Sequence, residues 1–277
     1  MSSEHKTVLD LFRLDGRKAL LTGGGGVLGA TFARAMAEAG AMVWITDLFE
    51  DRAAAVAADL RKDGLRADSF KLDVLSRESL EAAAARVGPL DILLNGAGGN
   101  MKDASTSPER SFFDLSLPAL EKVVALNLFG GAILPSQVFG RAMKDNKDGA
   151  VILNVSSMNA LRPLTRIPGY SAAKAAVSNF TQWLAVHIAQ EYNPRIRVNA
   201  LAPGFFLTEQ NRYLLQDEKT GGWTARGQSV LAHTPMGRFG DPADLAGVTV
   251  WLCSPAAAFV SGIVVPIDGA FSAFSGV

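Results

Sequence analysis

The chain has 277 residues, of which 27 are basic and 27 acidic, so its formal net charge at pH 7 is zero. Hydrophobic residues make up 48% of the sequence and charged residues 19%, which excludes a disordered chain and gives no basic excess for binding nucleic acid. The single cysteine, Cys253, has no partner for an internal disulfide, as is typical of proteins in a reducing compartment.

The N-terminus and the apolar content give a first indication of location. Residues Met1–Asp10 mix charged and polar side chains and contain no apolar segment of the kind found in signal peptides. Elsewhere glycines and charges interrupt the apolar stretches, short of the roughly 18–20 residues that cross a bilayer. We therefore expect a cytoplasmic protein with no membrane partner. Without repeats or a low-complexity linker, we predict a single domain over residues 1–277.

Short apolar runs alternate along the chain with longer segments of helical periodicity. Strands are predicted at Lys18–Thr22, Ala41–Thr46, Ser69–Asp73, Leu90–Asn95, Val151–Ser156, Ile196–Leu201 and Ile263–Ile267. Helices are predicted at Gly29–Ala39, Phe49–Lys62, Arg77–Val87, Leu120–Met143, Ala172–Tyr192 and Pro242–Cys253. Several strands are continuously apolar, which indicates cover on both faces. The order predicts an α/β fold: a Rossmann-type, doubly wound, parallel seven-stranded sheet with helices on both faces and ligands at its carboxyl ends.

A glycine-rich segment, Thr22–Gly29, joins the first predicted strand to the first predicted helix. Glycines let the backbone turn tightly and approach a pyrophosphate, and the following helix N-terminus supplies free N–H groups. Glycine clusters are often plain turns, but this position favours a nucleotide site. A Walker loop is excluded, because no Lys-Ser or Lys-Thr follows the glycines. The predicted cofactor-binding residues of this segment are Gly23, Gly25, Gly26, Val27, Leu28 and Gly29.

An acidic residue, Asp47, follows the second predicted strand. A carboxylate at this point accepts hydrogen bonds from the adenosine ribose and repels a 2′-phosphate. Leu48 and Phe49 come next, with no adjacent Arg or Lys to bind that phosphate, so the sequence favours NAD over NADP. Asp47 can alternatively cap the following helix, and it can serve in both ways.

Tyr170 and Lys174 lie four residues apart, on one face of a predicted helix. A phenol with a pKa of about 10 is a poor acid or base at neutral pH, but a nearby ammonium or an oxidised nicotinamide lowers that pKa. Ser157 follows the fifth predicted strand, where its hydroxyl can bind a substrate oxygen. An isolated Tyr-x-x-x-Lys is usually exposed surface. Together with the glycine loop and Ser157, it predicts a proton-transfer site.

Over nearly its whole length the sequence resembles the short-chain dehydrogenase/reductase family. The matching residues are Thr22–Gly29, Asp73-Val74, Asn95–Gly98, Asn127, Ser157, Tyr170, Lys174, Pro203-Gly204 and Thr208. The resemblance implies that Tyr170 is the general acid/base and that Lys174 holds the nicotinamide ribose and lowers the tyrosine pKa. It also implies that Ser157 orients the carbonyl or alcohol and that Asn127 holds a water in a proton relay.

The same resemblance implies further cofactor contacts. Asp73 and Val74 are expected to flank the adenine, and Pro203, Gly204 and Thr208 to position the nicotinamide amide. The remaining predicted cofactor residues are Leu48, Asn95, Gly96, Ala97 and Phe206. Three residues depart from the family pattern, namely Val27 and Ala270, where glycine is usual, and Gly96, where a second Asn is common. None of these departures affects the Ser, Tyr or Lys.

Three variable segments, Gly99–Leu117, Met158–Gly169 and Phe205–Gly240, are expected to choose the substrate. The candidate substrate residues are Asn100, Asn159, Arg162, Arg166, Arg212 and His233, with Arg238 as a further one. An arginine pair between Ser157 and Tyr170 can grip a carboxylate, although solvated surface charges give the same pattern. His5, His187 and His233 are scattered, so no metal site is predicted.

Within the family, the sequence resembles the D-mannonate oxidoreductase (D-fructuronate reductase) branch. The resembling stretches are Thr22–Gly29, Ser156–Lys174, Asn179–His187, His233–Gly240 and Phe271–Val277. This implies an NAD-dependent interconversion of D-mannonate and D-fructuronate. A neutral sugar, polyol or other ketone is the alternative substrate, and a non-catalytic NAD-binding sensor is a remote alternative. A homo-oligomer, commonly a tetramer, is also implied; candidate interfaces are Leu120–Met143, Ala172–Tyr192, Phe271 and Phe274.

Overall fold

The computed structural model describes residues 7–208, 212, 215–217 and 220–276. Its strands are β1 Lys18–Thr22, β2 Met42–Asp47, β3 Ala67–Lys71, β4 Ile92–Asn95, β5 Val151–Val155, β6 Arg197–Pro203 and β7 Val264–Ile267. The α-helices of this part of the chain are α1 Val27–Glu38, α2 Glu50–Lys62, α3 Arg77–Val87, α4 Leu117–Val124, α5 Leu134–Met143, α6 Pro168–Glu191, α7 Ala225–Ala232 and α8 Ala246–Cys253.

The strands form one parallel sheet in the order β3-β2-β1-β4-β5-β6-β7. This confirms the predicted doubly wound, seven-stranded fold. The direction of winding changes between β1 and β4, where Thr22 lies opposite Asn95. Parallel sheets open a ligand crevice at such a switch point, at the carboxyl ends of the strands. The glycine loop after β1 and the segment after β4 therefore border the same crevice.

Two hydrophobic cores lie on opposite faces of the sheet. Leu21 belongs to the core beneath α1, α2 and α8, whereas its neighbour Leu20 belongs to the core beneath α3, α5 and α6. Successive residues of a strand point to opposite faces, so a strand covered on both sides needs apolar side chains throughout. That requirement explains the continuously apolar strands of the sequence.

Two helices differ from their predicted limits in ways that affect the site. Helix α6 begins at Pro168, four residues before the predicted Ala172, because proline suits the first turn of a helix. Tyr170 therefore lies in the first turn of α6. Helix α7 was not predicted; the hydroxyl of Thr224 caps it by accepting a hydrogen bond from the Gly227 N–H at 3.1 Å.

Helices α4 and α5 are joined by a π-helical segment, Ala125–Ile133, into one helix, Leu117–Met143. This helix has 27 residues and, over 18 of them, a mean hydropathy of 1.5, enough by length and composition to cross a membrane. The expectation that every apolar stretch is too short was therefore wrong. However, 56% of that window is buried inside the fold, and Phe139 and Met143 belong to the core. Its apolar side chains are thus largely used in packing against the rest of the chain.

Candidate active site

Close packing explains why glycines form the turn between β1 and α1. Gly23 has a φ of +68°, and a Cβ there would lie 2.7 Å from the Cα of Ala97. A Cβ on Gly29 would lie 2.5 Å from the carbonyl oxygen of Gly23. The hydroxyl of Thr22 accepts hydrogen bonds from the N–H groups of Gly96 and Ala97, both at 3.2 Å. The loop is therefore fixed against the segment that follows β4.

The N-terminus of α1 fits a pyrophosphate. Its N-cap, Gly26, has no side chain to accept the first N–H groups, and a Cβ there would meet nothing nearer than 3.8 Å. Helix α3, in contrast, is capped by Ser76, whose hydroxyl accepts from the Ser79 N–H at 3.1 Å. Uncapped N–H groups beside a glycine loop are suited to phosphate oxygens. Val27 is the first residue of α1, a position that does not require glycine.

Asp47 lies at the end of β2, beside the glycine loop. Its Oδ2 accepts from the Gly25 N–H and its Oδ1 from the Phe49 N–H, each at 3.0 Å. The alternative interpretation of Asp47 as a helix cap was wrong, because α2 begins at Glu50 and its N-cap is Phe49. The carboxylate is held instead at the edge of the crevice where an adenosine ribose is expected.

Arg52 lies close to the same carboxylate, which the sequence did not indicate. A Cβ on Gly25 would lie 2.6 Å from the Cβ of Arg52 and 3.0 Å from the Oδ2 of Asp47. The Arg52 guanidinium carbon lies 4.6 Å from the centroid of the Phe49 ring. The prediction considered only residues next to Asp47 in the chain, whereas the first turn of α2 brings a cation back to the loop.

Ser157, Tyr170 and Lys174 come together at the carboxyl ends of β5 and β6. The Ser157 hydroxyl is close enough to the Tyr170 hydroxyl to lower the pKa of the tyrosine, and the Nζ of Lys174 lies 5.6 Å from the centroid of the Tyr170 ring. Lys174 is 3% exposed, and its Nζ donates to the carbonyl oxygen of Val155 at 2.7 Å. The three side chains are thus brought together at one end of the sheet, as is expected of a proton-transfer site.

Burial dominates the electrostatics of this group. It raises the pKa of Tyr170, which the hydrogen bond with Ser157 lowers in part. Burial also lowers the pKa of Lys174 to about 8. The resemblance implies that Lys174 lowers the tyrosine pKa. In this chain the pKa of Tyr170 is raised instead, because desolvation of the phenolate is the largest effect.

Asn127 is fully buried in the π-helical segment. Its Nδ2 donates to the carbonyl oxygens of Gly99 at 2.6 Å and Val123 at 2.8 Å, and its Oδ1 accepts from the Gly99 N–H at 3.1 Å. A Cβ on Gly98 would lie 2.7 Å from this Oδ1 and 3.2 Å from the Nζ of Lys174. The side chain therefore fastens the Gly98-Gly99 segment against the site. Its role in holding a water stays a prediction.

A chain of buried amides and hydroxyls runs beneath the crevice. The Nδ2 of Asn95 donates to Ser136 Oγ at 3.1 Å and to Asn154 Oδ1 at 2.8 Å, and Asn154 Nδ2 donates to Thr181 Oγ1 at 2.9 Å. These bonds join β4, β5, α5 and α6. Asn95 therefore supports the crevice from below. Asn154, which the sequence reasoning missed, was detectable as a polar residue inside an otherwise apolar strand.

The other predicted cofactor residues also lie at the carboxyl edge of the sheet. The Oδ1 of Asp73 accepts from the Leu75 N–H at 2.9 Å, and Val74 is buried. Gly204 follows Pro203 at the end of β6, where a Cβ would lie 2.5 Å from the Cβ of Asp268. Leu48 is exposed, Phe206 is buried, and Thr208 is the last residue before a break in the described chain.

Arg162, Arg166 and His233 line one cavity of about 480 Å³. Arg226 of α7, which was missed, lines it as well, together with Phe205 and Phe271. Its lining residues include no Asp or Glu. The Nε of Arg162 donates to the carbonyl oxygen of Ser272 at 2.9 Å, so this arginine also ties the loop before α6 to the C-terminal segment.

The remaining substrate candidates are not in this cavity. Asn100 is exposed and its Nδ2 donates to Ser105 Oγ at 2.8 Å. Arg212 and Arg238 line a different cavity of about 610 Å³, where Arg238 forms an ion pair with Asp244 at 2.6 Å. Asn159 is buried in the turn after Ser157, with its Oδ1 lacking a hydrogen-bond partner.

Metal and thiol chemistry find little support in the described residues. Within residues 7–208, 212, 215–217 and 220–276, no three His, Cys, Asp or Glu side chains cluster as metal ligands do. His5 lies outside the described residues. Burial raises the pKa of the Cys253 thiol to about 12, which makes it a poor nucleophile at neutral pH.

Comparisons with known proteins cover nearly the whole chain. A family model described as short chain dehydrogenase matches residues 17–219. The uncharacterised oxidoreductase UxuB of Bacillus subtilis is 44% identical, over 95% of this chain and 98% of its own. The 5-keto-D-gluconate 5-reductase of Escherichia coli is 33% identical, over 94% of this chain and 97% of its own. A structure from Haemophilus influenzae with bound NAD, proposed to be a D-mannonate oxidoreductase, is 42% identical with a TM-score of 0.89, over 98% of this chain and 99% of its own.

Proposed function

This chain belongs to the short-chain dehydrogenase/reductase family, and on that premise we propose that it interconverts the C5 alcohol and the C5 ketone of a hexonate. D-Mannonate and D-fructuronate are the pair we favour. Oxidoreductase activity on CH–OH groups is confirmed by the family and its relatives, and NAD as the cofactor by the Haemophilus structure. D-Fructuronate and 5-keto-D-gluconate differ in configuration but share the C5 ketone, so these two relatives support the same chemistry.

The arginine-lined cavity carries the proposal. It receives Arg166 from the loop before α6 and Arg226 from α7, and it includes Ile167, the N-cap of α6. Tyr170 lies in the first turn of that helix, so the helix that begins at the cavity also carries the tyrosine, although Tyr170 does not itself line the cavity. Arginine forms bidentate hydrogen bonds with carboxylates. One acidic residue, Glu109, lies near Arg166 but does not line the cavity. A hydrogen bond from Ser107 lowers the pKa of Glu109, and the charges of Lys102 and Arg166 lower it more weakly.

The side chains of the site have distinct parts in the reaction. The Ser157 hydroxyl is close enough to that of Tyr170 to lower the tyrosine pKa, so we expect one substrate oxygen to contact both hydroxyls. In ketone reduction Tyr170 donates its proton to the developing alkoxide, and in alcohol oxidation it accepts the hydroxyl proton. We expect Asp47 to hold the adenosine ribose and the N–H groups of α1 to hold the pyrophosphate. Lys174 is expected to hold the nicotinamide ribose. When bound, the nicotinamide supplies or accepts the hydride.

The test compares anionic and neutral substrates in arginine variants. NADH absorbance is followed with D-fructuronate, 5-keto-D-gluconate and neutral D-fructose. In Arg166→Ala and Arg226→Ala, KM for the sugar acids should rise about tenfold to a hundredfold, while kcat/KM for D-fructose changes by less than about threefold. Arg13→Ala, which removes an exposed arginine paired with Asp15, is the matched control. Equal losses on acids and on D-fructose would contradict carboxylate recognition and favour a neutral substrate.

Self-association is a further proposal, supported by the outer face of α5 and α6. Trp183 is 55% exposed and Tyr192 59% exposed, and the rings of Trp183 and His187 stack at 4.6 Å. Exposed aromatic groups of this kind are common at interfaces between subunits. Light scattering on Trp183→Glu should give a smaller assembly than the unmodified chain; an unchanged mass would exclude this face. The cytoplasmic location stays a prediction.

A further inference from the structure

Asn159 has a buried amide oxygen with no donor. The residue is 6% exposed, and its Oδ1 has no hydrogen-bond partner. Its backbone N–H donates to the hydroxyl oxygen of Ser157 at 3.2 Å. The amide group therefore lies in the turn that positions the catalytic serine.

An unpaired buried carbonyl is costly, and folded proteins pair nearly all of them. Besides Asn159 Oδ1, the described part of the chain has two such side-chain atoms, Asn95 Oδ1 and Ser171 Oγ. Asn95 already makes two bonds through its Nδ2, and Ser171 lies within α6. Asn159 is the one that lies in the 3-10 helical turn Met158–Ala160, which Ser157 caps, so a donor arriving with the substrate is the economical explanation of its unpaired oxygen.

We propose that Asn159 determines specificity by accepting a hydrogen bond from a hydroxyl on a carbon next to the reacting carbon. The reacting oxygen is bound by Ser157 and Tyr170, so an acceptor beside Ser157 is in reach of the adjacent carbon's substituent. A carbonyl oxygen needs a donor, which a hydroxyl provides and a carboxylate or methyl group does not. The inference rests on the proposed function, because the C5 ketone of a hexonate is flanked by hydroxylated C4 and C6. The site thus selects α-hydroxy ketones and vicinal diols.

The experiment measures kcat/KM for 5-keto-D-gluconate and for its 4-deoxy and 6-deoxy analogues. The unmodified enzyme should prefer the parent over one analogue by about tenfold to a hundredfold. Asn159→Leu should lose that preference while kcat/KM for the same analogue stays within about threefold of the unmodified enzyme. Asn159→Ala provides the same comparison should the leucine variant fail to fold, and Asn179→Leu on the exposed side of α6 is the control. An undiminished preference in both Asn159 variants would overturn the proposal.

Two further readouts separate the possible failures. Without substrate, Asn159→Leu should have a Tm equal to or above that of the unmodified chain, since it removes an unpaired acceptor. A fall of several degrees would reflect misfit of the leucine side chain, and the kcat/KM comparison with Asn159→Ala then decides the proposal. The comparison is repeated with the neutral pair 1-hydroxy-2-butanone and 2-butanone. An Asn159-dependent preference here, with no turnover of sugar acids, would support the role of Asn159 and contradict the hexonate proposal.

Discussion

The Nζ of Lys174 donates a hydrogen bond to the main-chain carbonyl oxygen of Val155 at 2.7 Å. The bond joins α6 to the end of β5, two residues before Ser157, and so fixes the relative position of the lysine and the serine. No carboxylate pairs with Lys174 in the part of the chain that the structure describes. A buried lysine held by a carbonyl keeps the desolvation penalty of its charge, which is why its pKa is lowered to about 8.

That penalty predicts a pH dependence of stability. The ordinary pKa of lysine is 10.5, and burial lowers that of Lys174 to about 8. Between these values the unfolded chain binds one more proton at this site than the folded chain, so stability rises with pH. Below about 8 the full penalty is present. The free energy of unfolding of the unmodified chain, minus that of Lys174→Met, should therefore increase from pH 8 to 10.5 in urea titrations. A flat difference would contradict a buried, desolvated ammonium.

Tyr170→Phe tests the proton-transfer role. Removing the phenol hydroxyl should lower kcat by about 10²–10⁴, because no other group of the described site is placed to protonate the substrate oxygen. NADH binding, followed by fluorescence, and Tm should change little, which separates lost chemistry from lost folding. Turnover near the unmodified rate would exclude Tyr170 as the acid/base.

Ser157→Ala predicts a shift in the pH profile. The hydrogen bond from Ser157 lowers the pKa of Tyr170 against the raising effect of burial. Without it the tyrosine pKa rises, and the phenolate needed to accept the alcohol proton forms at higher pH. The rising limb of kcat/KM for alcohol oxidation should therefore move to higher pH in this variant, in addition to a lower plateau. An unmoved limb with the same loss of rate would restrict Ser157 to substrate orientation.

Much of the fold and of the proton-transfer group could be predicted because the signals are local. The strands are apolar runs, and Tyr170 and Lys174 are one helical turn apart wherever the helix lies. The arginine-lined cavity could not be predicted in this way, since Arg226 meets Arg162 and Arg166 only through the packing of α7. Arg52 was missed for the same reason, because its proximity to Gly25 arises from the turn of α2. Helix α6 begins four residues before the predicted Ala172, at Pro168, because proline favours the first turn of a helix.

Cofactor choice should depend on the pair Asp47 and Arg52. Asp47→Ser removes the carboxylate that repels a 2′-phosphate, and Arg52 beside Gly25 offers a guanidinium to bind it. The ratio of kcat/KM with NADPH to that with NADH should rise by about a hundredfold. In the double variant Asp47→Ser/Arg52→Ala, kcat/KM with NADPH should be about tenfold lower than in Asp47→Ser alone, while kcat/KM with NADH changes little. Arg61→Ala, on the same helix, is the control. No loss of NADPH use in the Arg52 variant would show that the arginine lies out of reach of the phosphate.

Gly23→Ala and Gly16→Ala form a matched pair that tests the packing of the cofactor loop. Both glycines have positive φ, +68° and +75°, but a Cβ on Gly16 meets no atom within 4 Å. Gly16→Ala should therefore cost only the left-handed backbone strain, about 1–2 kcal/mol. Gly23→Ala adds a contact of 2.7 Å with the backbone of Ala97, so its loss should exceed that of Gly16→Ala by about 1–3 kcal/mol. It should also weaken NADH binding, since the backbone must shift where the pyrophosphate is expected. Urea unfolding measures the loss of stability, and NADH fluorescence measures cofactor binding. Equal losses of stability in Gly23→Ala and Gly16→Ala would show that the loop accommodates the added Cβ of residue 23 without a clash.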